Sequence, residues 1–401
     1  MLDRLKREGL YGGPPLVLGL AVLANYSSSA GRVMISPLVP AITGAFTVSN
    51  SVIGLALTGM WVAFALTQFP SGVLSDRYGE RRLILLALAL ISLGGLLVAV
   101  APTFSVFVLG VVPLGGGSGL YLVAATSYLT KQFEETGAVL GFHSTGASLG
   151  GLTIPVVVVA VAARANWRAG LLVGAGVAAA AFALFARYST ESAKARPEMS
   201  VRAQFELRAL LAHLQRRGLV FTTLLAGLSY FAYTATASFF PTFLVESWDM
   251  STARASVAFA AIYLIRSLLN PVLGRLSDGV GRDPILALCF VIGAGGYLVL
   301  LVPGATVVLV AGVGLLGAGM SFGGVITSRF MDELGDDERG QGYGFANTIA
   351  NIVGSAGSVV TGTLATVSGW PAAVGLLLGL LLLAALAIGA SRLLDVEIQA
   401  R

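Results

Sequence analysis

Gly72-Val73-Leu74-Ser75-Asp76-Arg77-Tyr78-Gly79 returns 202 residues later as Gly274-Arg275-Leu276-Ser277-Asp278-Gly279-Val280-Gly281. The echo extends outward from this stretch. Gly141-Phe142 returns as Gly344-Phe345 and Trp167 as Trp370, both at an offset of 203, and Pro40 as Pro241 at 201. Anchors held in register over most of each half mark an internal duplication, which has to be established before any single residue is interpreted.

Composition says what each copy contains. Of 401 residues, 56% are hydrophobic and 11% charged, with a mean hydropathy of +0.85. A soluble domain carries about a quarter charged residues, so a soluble enzyme is excluded. The alternating segments of a membrane β-barrel are absent from the sequence. Apolar runs fall near 15–40, 51–71, 83–101, 104–128, 138–163, 169–187, 219–245, 254–273, 284–302, 305–328, 340–366 and 371–391. A crossing needs about 20 apolar residues, and these runs predict twelve. The 51 glycines suit helices that approach closely in lipid. Cys289 is the single cysteine, which excludes an internal disulfide and a cysteine metal site. No G-x-x-x-x-G-K-[ST] phosphate loop occurs, so nucleotide-driven pumping is excluded, and no cofactor is expected. Arg4, Lys6 and Arg7 precede an apolar stretch too long and glycine-rich for a cleaved signal.

With both termini in the cytoplasm, 20 of the 25 Lys and Arg lie on the cytoplasmic side, against Arg164, Arg168 and Arg254 outside. That asymmetry sets orientation, and it accounts for a pI near 9.5 without a nucleic-acid partner. Residues 188–218 form the one long polar connection and separate a half at 1–187 from a half at 219–401. Val201, Phe205, Leu207, Leu210, Leu211 and Leu214 lie there among Arg202, Arg208, Arg216 and Arg217, predicting an amphipathic helix on the cytoplasmic interface. The expected fold is an all-α membrane protein of twelve transmembrane helices in two pseudo-symmetric six-helix bundles, multi-pass in the cell membrane. Duplicated halves with a site between them are the layout of transporters that rock one half against the other.

These residues resemble the major facilitator superfamily over the whole chain. The duplicated loop is similar to that family's G-x-L-x-D-R-x-G-x-R/K motif, with Arg81 and Arg82 following the first copy and Gly279 replacing its arginine in the second. The resemblance implies a monomer working by alternating access. It implies Asp76, Arg77, Asp278 and Arg282 as gating residues that tether neighbouring helices on the cytoplasmic face. Gly115-Gly116-Gly117-Ser118-Gly119-Leu120-Tyr121, followed by Phe133, Gly141, Gly146, Pro155 and Trp167-Arg168, resembles the anion-transporting branches that include oxalate/formate and monocarboxylate carriers. Drug:proton antiporters are the alternative. Their G-P-x-x-G-G signature has a counterpart in Gly146-Ala147-Ser148-Leu149-Gly150-Gly151, but Ala147 stands in place of proline, and Val111 or Val112 in place of their fourth-span arginine. A ligand sensor that does not transport is a third reading, disfavoured by the short tails.

Two arginines lie within the spans, Arg32 in the first and Arg266 in the eighth, while all 20 Asp and Glu fall in loops and at helix ends, Glu246 coming nearest. An arginine at a helix centre costs about 2.5 to 3.5 kcal/mol on the insertion scale. With no carboxylate at that depth, an anionic substrate is the simplest counter-ion, and a guanidinium binds carboxylate or phosphate in bidentate fashion. Proton coupling through a membrane carboxylate is correspondingly disfavoured. The expected partners are thus a small anion and membrane lipid. Asn25, Ser28, Ser29 and Arg32 share one helical face. The duplication sets Tyr233 at the position of Arg32, with Tyr230 one turn away, and Asn347 and Asn351 at the positions of Ser144 and Ser148. Tyr121 and His143 complete the candidate binding residues, and an unperturbed histidine titrates near neutral pH.

Overall fold

The computed structural model describes residues 14–190, 216–335 and 339–399, and among these residues all regular structure is helical. In chain order the helices are α1 (Pro14–Val33), α2 (Val39–Phe46), α3 (Asn50–Tyr78), α4 (Glu80–Val100), α5 (Phe104–Gln132), α6 (Thr136–Ala162) and α7 (Trp167–Tyr188). They continue as α8 (Arg217–Trp248), α9 (Thr252–Val280), α10 (Arg282–Leu300), α11 (Thr306–Gly319), α12 (Gly323–Asp332), α13 (Arg339–Val367) and α14 (Trp370–Gln399). Among the described residues, 11 stretches are long and apolar enough to cross a membrane, α11 and α12 counting as one. The remaining crossing is α1, whose apolar run is interrupted by Asn25-Tyr26-Ser27-Ser28-Ser29. The amphipathic helix expected within 188–218 lies outside the described residues.

Two of the predicted runs are broken. The run at 15–40 stops at Val33 and restarts as a 3₁₀ turn, Ser36–Leu38, and then as α2. Pro37 and Pro40 each occupy an early helical position, where a missing N–H costs nothing and a fixed φ starts a new helix. The run at 305–328 is interrupted between Gly319 and Gly323, and this break matters for the site.

By contact the chain forms two compact units, Met1–Thr47 with Gly59–Leu207, and Val48–Thr58 with Arg208–Arg401. In the first, the most extensive helix pairs are α4 with α5, α1 with α6 and α4 with α7. In the second they are α8 with α13, α10 with α11 and α10 with α14. The same neighbours recur, and so does the packing. A Cβ on Gly94 would lie 2.6 Å from Leu114 N and 2.7 Å from Gly110 O; one on Gly296 would lie 2.6 Å from Leu316 N and 3.1 Å from Gly312 O. Each of these positions is displaced by 202 residues, so the duplication is written into backbone contact as well as into the loop. In lipid, where no hydrophobic effect drives helix against helix, such close approach supplies the association. The lipid-facing stripe is equally plain on α4. Leu83, Ala87, Ile91, Gly94 and Val98 are buried at spacings of three and four, while Leu86, Leu93, Leu97 and Val100 stay exposed.

The last glycine of each loop copy has a backbone reason. Gly79 and Gly281 have φ of 91° and 105°, a region closed to other residues without strain. Both lie at the entry to the third crossing of their half, α4 and α10.

Candidate functional site

In the first unit, Arg32 sits in the last turn of α1, where Nε donates to Ser28 O at 3.3 Å. Its guanidinium carbon lies 4.4 Å from the ring centre of Phe64 and 5.6 Å from that of Trp61, both on α3. Rings on a guanidinium face attract it by cation–π interaction and leave its in-plane N–H edges clear of the stack.

The rest of the polar face of α1 is turned into a seam with α6. Asn25 Nδ2 donates to His143 O and Ser29 Oγ to Ala147 O, each at 2.9 Å, and Tyr26 OH lies 2.8 Å from Thr153 Oγ1. Ser28 contributes its carbonyl, which takes Ser118 Oγ at 3.2 Å as well as Arg32. Asn25 and Ser29, from the helical face expected to bind substrate, thus donate to backbone carbonyls of α6. Tyr121, fully buried on α5, donates to Ala21 O at 2.6 Å and lies 2.9 Å from His143 Nε2.

In the second unit, Arg266 projects from the middle of α9. Its Nε donates to Met320 O at 3.1 Å, at the break between α11 and α12. Its guanidinium carbon lies 4.6 Å from the Tyr233 ring and 5.6 Å from the Tyr263 ring, and the two tyrosine hydroxyls are 3.4 Å apart. One turn earlier on α8, Tyr230 OH donates to Asn347 Oδ1 at 3.0 Å, and Asn351 Nδ2 donates to Asn347 O at 2.8 Å. Tyr230 also packs on Phe322, two residues beyond Met320, with ring centres 6.3 Å apart. Arg266, Tyr233, Tyr230 and Asn347 are thus gathered around the interrupted crossing. Glu246, the acid that comes nearest to lying within a span, accepts from Trp370 Nε1 at 2.8 Å. Among the described residues no carboxylate pairs with Arg266, and neither of its Nη groups makes a hydrogen bond.

The two arginines are related in a way that position-by-position comparison hides. At an offset of 202, Trp61 corresponds to Tyr263 and Phe64 to Arg266; at 201, Arg32 corresponds to Tyr233. Each unit therefore stacks a guanidinium on a ring across the same pair of helices, but cation and ring have changed places. The offset of 202 applied to Arg266 points to Phe64, and neither it nor Trp61 nor Tyr263 stands out by composition.

The duplicated loops carry a second exchange. In the first unit Lys131 pairs with the buried Glu80 and lies 3.9 Å from Asp76, while Ser127 Oγ donates to Glu80 Oε1 at 3.0 Å. In the second, Arg282 pairs with Asp278, donates from Nε to Asp332 at 3.0 Å and reaches Ser277 Oγ at 2.8 Å. Glu80 and Arg282 are 202 apart, and Lys131 and Asp332 are 201 apart. The bridge from loop to the end of the fourth crossing in each half is kept, and its polarity is reversed. Arg77 stacks on Tyr78, its guanidinium carbon 5.3 Å from the ring centre. A neighbouring pair, Arg329 Nε to Asp283 at 2.7 Å, adds to the second unit's network.

The family model of the Major Facilitator Superfamily matches residues 21–243 and 222–397. The hexuronate transporter of Bacillus subtilis (strain 168) is 25% identical over 381 residues, covering 88% of each chain. The nitrite extrusion protein of the same organism is 25% identical over 261 residues, covering 65% of this chain and 64% of its own. Among solved structures, a D-xylose-proton symporter superposes with a TM-score of 0.78 at 18% identity, covering 93% of this chain and 96% of that one. This last likeness concerns the fold.

Proposed function

Because the chain belongs to the Major Facilitator Superfamily, and is a multi-pass membrane transporter and not an enzyme, we propose that its cargo is a small organic anion carried by alternating access. The observation that carries this reading is Arg266, a half-buried guanidinium at the middle of a crossing. One N–H is tied to Met320 O and the face is covered by two tyrosines, and no carboxylate is paired with it among the described residues. Burying a charge without a partner costs several kcal/mol, and an arriving carboxylate offsets that cost through charge-assisted hydrogen bonds to the Nη edge. A hexuronate and nitrite, the cargoes in the two relatives' names, are both anions.

In this proposal Arg266 is the primary anion ligand, with Tyr233, Tyr230, Asn347 and Asn351 around it. Arg32 supplies a second guanidinium from the other half. The halves at 1–187 and 219–401 rock about a cytoplasmic linker at 188–218. The loops carrying Asp76, Arg77, Asp278 and Arg282 set the balance between inward- and outward-facing states. Both termini are cytoplasmic, in the cell membrane, and the working unit is a monomer.

Counterflow into proteoliposomes tests the cargo class. Vesicles preloaded with glucuronate, other carboxylates, nitrite or phosphate are compared with vesicles preloaded with a lipophilic cation. Exchange confined to the anions is the expected outcome. Exchange of the lipophilic cation alone would establish drug efflux and overturn the proposal.

A further inference from the structure

We infer that His143 is a proton site, and that each anion is accompanied by one proton held on the Nδ1 atom of His143. This rests on the anion-transport reading and specifies how it is coupled.

The Tyr121 hydroxyl has one hydrogen, and it is given to Ala21 O at 2.6 Å. The same oxygen lies 2.9 Å from His143 Nε2, so it must accept there, and Nε2 must carry the hydrogen. Only the backbone carbonyl of His143 is used by Asn25. In the neutral ring Nδ1 is then the basic atom, and among the described residues it makes no hydrogen bond. A ring whose tautomer is fixed by one neighbour, with its second nitrogen unengaged, is built to take up one proton at a defined atom.

The surroundings decide when it does so. Tyr121 is the one titratable side chain bonded to His143 among the described residues. Helix α1 also brings Tyr26, held by Thr153, and Arg32, two turns beyond Asn25; α7 brings Arg168 and Arg187 at its ends; α5 brings Lys131 at its end, and α6 carries Glu135 at its own start. No carboxylate is bonded to the ring among the described residues, and His143 is 4% exposed. An imidazolium here adds to the positive charge of Arg32 with nothing in the seam to offset it. An anion bound at Arg32 supplies the missing negative charge, so proton and anion favour each other's binding by the same coupling energy. The balance is simple: one proton joins Nδ1 as one monoanion binds, the pair crosses with no net charge added, and both leave on the other side. No bond other than N–H forms or breaks.

Two measurements test this. The chain has two histidines, His143 and His213, so ¹⁵N-histidine labelling of the full-length His213→Gln protein gives a spectrum of one ring. The Nε2–H neutral tautomer is expected without cargo, converting to imidazolium at constant pH on addition of glucuronate. An Nδ1–H tautomer, or a ring unchanged while glucuronate binds, overturns the inference. In proteoliposomes, an inside-alkaline gradient of about one pH unit should concentrate glucuronate about tenfold, the ratio for one proton per anion by linkage. His143→Gln should bring that ratio to one relative to its own counterflow, and Tyr121→Phe should shift the pH at which accumulation is half-maximal. Wild-type counterflow that ignores the gradient, or His143→Gln protein that still accumulates, refutes the proton site and leaves anion transport standing. Absence of counterflow with every carboxylate instead removes the anion reading, and the tautomer spectrum then decides on His143 alone.

Discussion

Arg266→Gln is expected to lower the affinity for a transported carboxylate by about a hundredfold, since losing one partner of a buried charged hydrogen-bond pair costs about 2 to 5 kcal/mol and 1.4 kcal/mol is a factor of ten. The fold should survive, because the native-state bond lost is Nε to Met320 O, one hydrogen bond of about 1 kcal/mol. Arg266→Lys distinguishes charge from shape. A lysine keeps the positive charge but loses the flat face that lies on Tyr233 and Tyr263 and the paired N–H edge. Partial recovery, within about tenfold of the glutamine variant, is the expected result. Binding measured by the thermal shift of detergent-solubilised protein against glucuronate checks both. Wild-type affinity in Arg266→Gln would leave Arg266 as a helix-break cap and nothing more.

The reversed loop bridges give the second large effect. Glu80 is fully buried and Lys131 partly exposed, so Lys131→Glu places two carboxylates together at the end of α5. Breaking a buried pair by one partner costs about 3 to 5 kcal/mol, a large part of a protein's stability. Glu80→Lys strands two ammonium groups at the same place and should behave alike. The double exchange, Glu80→Lys with Lys131→Glu, reproduces in the first half the polarity that Arg282 and Asp332 have in the second. It is expected to recover most of the lost thermal stability and transport. Three equally damaged variants would mean that the bridge is incidental and that each residue matters for another reason.

Much of this architecture is legible in the residues, for identifiable reasons. The loop repeats because Gly79 and Gly281 occupy backbone conformations that other residues resist, so their identity is dictated locally. The intramembrane arginines stand out because charge in an apolar run is rare whatever surrounds it. What escaped notice escaped for a reason too. Arg32 on Phe64 and Arg266 on Tyr233 are the same contact with its partners exchanged, and comparing like with like along the two copies conceals it. Glu80 and Arg282 are hidden in the same way. The acceptors of Asn25 and Ser29, the carbonyls of His143 and Ala147, are invisible in composition because every residue has a carbonyl. The early end of α1 was available from Pro37 and Pro40, which weigh more than the unbroken hydropathy around them.

In the proposed function, the negative charge of the cargo is what this transporter recognises. Uptake of glucuronate and of glucose by the same proteoliposomes tests it most directly, because the two differ chiefly in the carboxylate. Saturable glucuronate uptake that excess glucose does not inhibit is the expected result. Uptake of glucose equal to or exceeding that of glucuronate, or competition between them on equal terms, would contradict it.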